Sequence, residues 1–173
     1  MTRLGKIRQR GLVLLLSLIL VSLLGLLGLS AMGSAIQQER MAHNLMTTLQ
    51  VFEQTQQLLQ QGELQTHAQI WPVCEFCLPP PEAGFISKGG VYSGPEASSG
   101  LAWLVADGGF YLIQSLGVST QARHVPPGRE VNLFRVTAVA RTGAARTVLE
   151  SVIAHPVGQA TQPWRRILWR QVY

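Results

Sequence analysis

The chain has 173 residues and a formal charge of +5, with 14 Lys and Arg against nine Asp and Glu. That length leaves room for one domain beyond a membrane segment, and the charge alone does not make a nucleic-acid binder: Arg3, Lys6, Arg8 and Arg10 lie in the first 11 residues, and the rest carries ten bases against nine acids, net +1. Residues 39–122 sum to −5 and residues 123–173 to +6, a pattern that fits solvated faces or pairing between copies; no recognised binding motif accompanies the arginines, so nucleic acid is an unfavoured partner and DNA contact through Arg165, Arg166 and Arg170 stands only as an alternative.

The basic leader MTRLGKIRQRG occupies residues 1–11. From Leu12 to Gln38 there is no charge, and the first acid is Glu39. The 21 residues from Leu12 to Met32, eleven of them leucine, make about 32 Å of helix, enough to span a bilayer core of ~30 Å. A secretory apolar region is usually ~7–15 residues, so residues 12–32 predict a membrane span. Ala31-Met32-Gly33 loosely resembles a signal cleavage site, which keeps a cleaved secretory signal as an alternative. Basic flanks stay cytoplasmic; the rest of the chain is expected to face the periplasm or exterior.

No proline occurs before Pro72, and the helix is expected to continue past Met32. Residues 33–62 carry an amphipathic stripe at Met41, Leu45, Leu49, Phe52 and Leu59, with Met46 and Leu58 alongside. Gly62 reads as the stop. Gly25, Gly28 and Gly33 each cost about 1 kcal/mol relative to Ala, which fits either close helix packing or a built-in weak point. Residues 63–100, with Pro72, Pro79, Pro80, Pro81 and Pro95 and five glycines, read as loop. Residues 101–173 read as strands: LAWLVA, then FYLIQSLG after the Asp107-Gly-Gly turn, VNLFRVTAVA, the RTGAAR hairpin, TVLESVIAH and ILWRQVY, with Ile167, Trp169 and Gln171 expected on one face. An antiparallel sheet packed on the second half of the helix, burying the stripe from Met41 to Leu59, is an α+β architecture.

QRG followed by LVLLLSLILVSLLGLLGLSAM resembles a type IV prepilin, whose short basic leader ends in Gly just before a long hydrophobic helix. The stretch Glu39-Arg40-Met41-Ala42-His43-Asn44 is similar to the E-[RK]-M-A-x-N stretch of the PilX class of minor pilins. FRVTAVARTGAARTVLESV and the Trp-Arg ending within Ile167–Val172 are similar to that family's C-terminal region; residues 63–100 resemble it poorly. The resemblance implies a pilin-like fold, and cleavage by prepilin peptidase between Gly11 and Leu12 with methylation of Leu12. It also implies partners among other minor and major pilins, the inner-membrane assembly platform and a pilus-tip adhesin. Major pilins carry Glu at the fifth mature position; here that position is Leu16. A carboxylate in lipid costs roughly 2.5–3.5 kcal/mol, so Leu16 eases insertion and removes one docking contact, as suits an initiating or tip-located subunit, or a plain anchor. A minor pseudopilin of type II secretion and a single-span protein with a periplasmic binding domain are the alternatives.

Cys74-Glu75-Phe76-Cys77 fits a redox pair, half a zinc site or a local disulfide. Leu78-Pro-Pro-Pro81 blocks a helix after the second Cys, against thioredoxin-like use. Zinc usually needs four ligands, and only His67 is nearby. In an oxidising compartment the expectation is a structural disulfide. No cofactor is expected. His43, His67, His124 and His155 are scattered and read as surface polarity, Asp107 falls in a turn, and no nucleophile has a partner at useful spacing. The expectation is therefore a non-enzyme. Trp71, Trp103, Trp164 and Trp169 read as packing residues.

Overall fold

The computed structural model describes residues 10–158 and 164–172. The leader up to Gln9, residues 159–163 and the terminal Tyr173 lie outside the described residues. Two compact units divide at Leu45/Met46, with helix α1, Arg10–Gln65, contributing to both. The first unit is helical from Arg10 to Leu45. Its leucines present one half to nearly three quarters of their surface, from Leu23 at 54% to Leu14 at 73%.

The second unit is a single antiparallel sheet in sequential order, β1 Gly90–Val91, β2 Ala102–Ala106, β3 Gly109–Ser119, β4 Val131–Thr142, β5 Ala145–Pro156 and β6 Arg165–Gln171. The last turns of α1 pack on one of its faces, an α+β arrangement consistent with a pilin-like fold. Alternation sets which side chains go where. Tyr111 and Ile113 of β3, Val136, Ala138 and Ala140 of β4, and Leu149 of β5 meet Val51, Leu58 and Leu59 of α1. The alternate residues Leu112, Val139 and Val148 point to the opposite face, where Ala83, Ile86 and Trp103 cover them. Segment 66–101 thus supplies the second cover of the sheet, including one 3-10 turn at Pro81–Gly84. Gly108 has φ +84° in the two-residue turn between β2 and β3, a backbone that an L side chain rarely adopts.

Several expectations change. The helix runs through Gly62 to Gln65. Gly62 is no terminal cap; it is a point of close approach to the sheet, where a Cβ would lie 2.5 Å from Val136 Cγ1 and 3.1 Å from Tyr111 Cδ2. The expected stripe is buried only at its C-terminal end. Met41, Leu45, Met46 and Leu49 are 50–70% exposed, and within the second unit the sheet packs on the helix from Val51 on. The buried row is Val51, Thr55, Leu58, Leu59 and Gly62. Thr55 fits this seam because its Oγ1 donates to the Val51 carbonyl at 2.7 Å, which satisfies the hydroxyl within the helix. Strand β1 lies inside the stretch expected as loop. In β6 the register passes from Ile153↔Arg166 to Val152↔Leu168. Ile167 therefore occupies a bulge, and Arg166 shares the helix-side face with Trp169.

Candidate interaction surfaces

Three surfaces of the molecule are organised enough to act. The first is the N-terminal helix. Gly11 and Leu12 stand in its opening turn, Leu16 is 56% exposed, and the stretch from Leu12 is long and apolar enough to be a candidate membrane span. No heavy atom comes within 4 Å of a Cβ built on Gly25, Gly28 or Gly33. Glu39, Arg40, Met41, Ala42 and Asn44 are exposed on the helix beyond the apolar run. Apolar surface of this extent is compatible with a membrane anchor.

The second is the seam between the last turns of α1 and the outer strands. Glu63 is 1% exposed and accepts from Arg166 Nε at 2.8 Å and Nη2 at 2.6 Å. Beside it His155 of β5, 8% exposed, lies 3.1 Å from Thr66 Oγ1. Its ring sits 3.9 Å from that of His67 and 5.1 Å from that of Phe134. Burial, reinforced by the neighbouring His67, pushes His155 down to about 4, because a desolvated imidazole resists protonation. His155 is thus a core residue, not surface polarity. Phe52 of α1 meets Trp169 of β6 edge-on at 6.3 Å. Trp169 remains 42% exposed.

The third surface is the opposite face of the sheet, where the cysteine loop lies. Cys74 and Cys77 form a disulfide, with Cα atoms 5.4 Å apart. The loop is fixed by backbone carbonyls: Gln114 Nε2 donates to Phe76 O at 2.6 Å and Leu78 O at 3.0 Å, and Arg135 Nη1 donates to Cys77 O at 2.6 Å. Cys74 N–H adds a bond to Ser115 O at 2.8 Å. Arg135 is itself held 3.6 Å from Glu150, whose other oxygen takes Arg170 at 2.9 Å. Burial lowers Arg135 from its ordinary value, Glu150 raises it again, and Arg170 adds a further lowering. Further along, the fully buried Glu82 accepts from Ser99 N–H at 2.9 Å, from Ser99 Oγ, and from Trp103 Nε1 at 3.2 Å. That carboxylate ties loop 85–101 down and uses Trp103 as its anchor.

Among the described residues no group of three or more His, Cys, Asp and Glu is placed to hold a metal ion. A cleft of about 430 Å³ opens between Trp71–Glu75 and the splayed start of β2, floored by Leu112 and Ile113. Of the arginines weighed for DNA contact, Arg166 and Arg170 are bound to buried carboxylates and Arg165 donates to the His124 carbonyl at 2.5 Å. The uneven charge of the two halves is thus partly used within the chain: Glu63 of the acidic half neutralises Arg166 of the basic half. Sequence spacing carried no sign of the Glu63–Arg166, Glu150 or His155 arrangements, which arise only from strand register.

Comparison with protein-family models, with curated proteins and with solved structures finds no match for this chain.

Proposed function

We propose that the chain is a minor pilin of a type IV pilus, made as a prepilin and inserted in the inner membrane with its N-terminus cytoplasmic and its sheet domain periplasmic. Prepilin peptidase cleaves between Gly11 and Leu12, and the mature helix then exchanges lipid for the helices of other pilins on the assembly platform. The observation that carries this is the division of labour along one helix. From Val51 the helix is core of a folded domain, whereas from Leu12 to Leu49 its apolar residues are exposed. A helix that only anchors has no need to continue as the spine of the domain behind it.

Leu16 fits this role. Without an acid at the fifth mature position, the subunit inserts free of the cost of a buried carboxylate and lacks one docking contact, which suits a subunit that primes the filament or sits near its tip with an adhesin. The apolar span equally supports a second reading, an uncleaved single-span anchor for a periplasmic binding domain. N-terminal sequencing of membrane-extracted protein, with and without prepilin peptidase, decides between them. The pilin reading expects a chain beginning at Leu12 only when the peptidase is present; a chain beginning at Met1 in both overturns it. Recovery of the protein in sheared pili separates a pilus subunit from a type II secretion pseudopilin.

A further inference from the structure

At Leu104 strand β2 parts from β3. Leu104↔Tyr111 is the last pair of that ladder, and the residue before it, Trp103, pairs instead with Gly90 of β1. The edge of β3 is taken up again at Ser115, which bridges to Val73 and whose carbonyl accepts from Cys74 N–H at 2.8 Å. The cleft of about 430 Å³ occupies this interval. Its floor is closed and apolar, with Leu112 3% and Ile113 7% exposed. Trp71 and Leu104 stand in its walls. The one polar atom of the Trp71 ring, Nε1, donates to the Gln65 carbonyl at 3.3 Å, so the ring offers an apolar surface.

Gln114 and Glu75 also line the cleft, and both present acceptors. Gln114 is 2% exposed. Its Nε2 donates to the carbonyls of Phe76 and Leu78 at 2.6 and 3.0 Å, which fixes the orientation of the amide. Its Oε1 is buried with no hydrogen-bond partner among the described residues. An acceptor closed off in this way is costly, and folded chains keep few of them. Glu75 is exposed. The ion pairs of the unit engage Glu63 and Glu150 and leave Glu75 without a cation among the described residues. No Lys, Arg or His among the described residues lines the cleft. Arg135 stands opposite Gln114 in register, but it is committed to the Cys77 carbonyl at 2.6 Å and to Glu150 at 3.6 Å.

We propose that this cleft binds a small molecule made of a primary ammonium on an apolar body. The body lies on Leu112 and Ile113, and the ammonium donates to Gln114 Oε1 and faces the Glu75 carboxylate. An ammonium has three donors and no acceptor, the complement of this pair, whereas a carboxylate or phosphate ligand would meet only further acceptors. The volume falls in the range of about 300–1,000 Å³ usual for small-molecule sites. Only Leu112, Ile113 and Gln114 separate the two pairings of the β3 edge, which is short against the about five or six residues of an ordinary strand; a small molecule therefore fits better than an added peptide strand. The site does not rest on the pilin reading.

Calorimetric titration of the full chain in detergent micelles, with empty micelles as the blank, tests this at neutral pH with phenylbutylamine and its uncharged analogue phenylbutanol. Saturable binding of the amine is expected, about threefold or more tighter than that of the alcohol. Glu75→Gln should weaken the amine about threefold, as suits an exposed charge pair, and leave the alcohol unchanged. Glu53→Gln removes an equal charge from an exposed position of α1 and should change neither. Ala102→Trp fills the cleft from β2 and should abolish saturation by both probes. Because Ala102 lies in a strand, circular dichroism of that variant is compared with the parent, and Glu75→Gln in the loop carries the test if the strand is disturbed. Absence of saturation at about 10 mM amine, equal affinity for amine and alcohol, an equal loss in Glu53→Gln, undiminished binding in a folded Ala102→Trp, or tighter binding of a lysine-containing peptide than of the amine overturns the proposal.

Discussion

Glu63 and Arg166, 103 residues apart in the chain, close the last turns of α1 onto β6 through two parallel hydrogen bonds of 2.8 and 2.6 Å. The carboxylate is buried and the guanidinium 36% exposed. An acid so placed depends on its partner, because an uncompensated buried charge is expensive. Arg166→Ala is expected to destabilise the domain by about 2–4 kcal/mol. Replacing both residues by leucine should recover more than half of that loss, since an ion pair and a matched apolar pair are often close in energy. Urea unfolding of the detergent-solubilised protein, followed by tryptophan fluorescence, measures both; an additive loss in the double variant would refute the coupling.

His155 makes the same seam pH-dependent. Its pKa in the fold, about 4, lies below the ordinary 6.5. The unfolded chain therefore takes up this proton first as the pH falls. Stability from this residue is complete above about 6.5 and is lost progressively down to about 4. The loss amounts to about 2–3 kcal/mol, because each tenfold difference in proton affinity between folded and unfolded chain is worth ~1.4 kcal/mol. His155→Gln keeps a polar group beside Thr66 without the titration. Its thermal midpoint should vary less between about pH 7 and about pH 4.5 than that of the parent; equal slopes would place the acid sensitivity elsewhere.

Strands β2 to β6 were legible from runs of apolar and β-branched residues and from turn signals such as Asp107-Gly108 and Arg141–Arg146, whereas the two-residue β1 at Gly90–Val91 lay hidden in the stretch read as loop. The helix was legible because no proline interrupts it before Pro72. Its contact row was legible only at Leu58 and Leu59: Val51 lies beside the expected Phe52, and Thr55 counts as polar in a pattern, yet its hydroxyl is satisfied by its own helix and it packs as an apolar residue. The cysteine loop was legible as chemistry but not in position, since Gln114 and Arg135 are 36 and 58 residues from the carbonyls of Leu78 and Cys77 that they bind. Long-range polar partners are set by register, and a bulge such as that at Ile167 changes which arginine faces the helix.

The cysteine loop should depend on Gln114 as much as on its disulfide. Closing so small a ring contributes about 2 kcal/mol in the chain-entropy model. Gln114→Ala removes two bonds to carbonyls and leaves the amides of the loop less protected. Hydrogen exchange across residues 73–79 is expected to accelerate in Gln114→Ala with the disulfide intact. Protection unchanged from the parent would show that the disulfide alone orders the loop.

Gly62 provides the sharpest separation of helix propensity from packing. In an exposed helix Gly→Ala gains about 1 kcal/mol. At Gly62 the new methyl would lie 2.5 Å from Val136 Cγ1, closer than packed carbons tolerate, and Val136 is itself fully buried. Overpacking of this kind costs about 1–3 kcal/mol, enough to reverse the sign. Gly62→Ala is therefore expected to lower the urea midpoint of the domain, and adding Val136→Ala should restore part of the loss by making room, although the smaller side chain has its own cavity cost. Gly28→Ala, at a position with nothing within 4 Å, should leave that midpoint unchanged. A Gly62→Ala domain as stable as the parent would mean that the last turns of α1 can lift from the sheet at no cost, which the buried row from Val51 to Gly62 argues against.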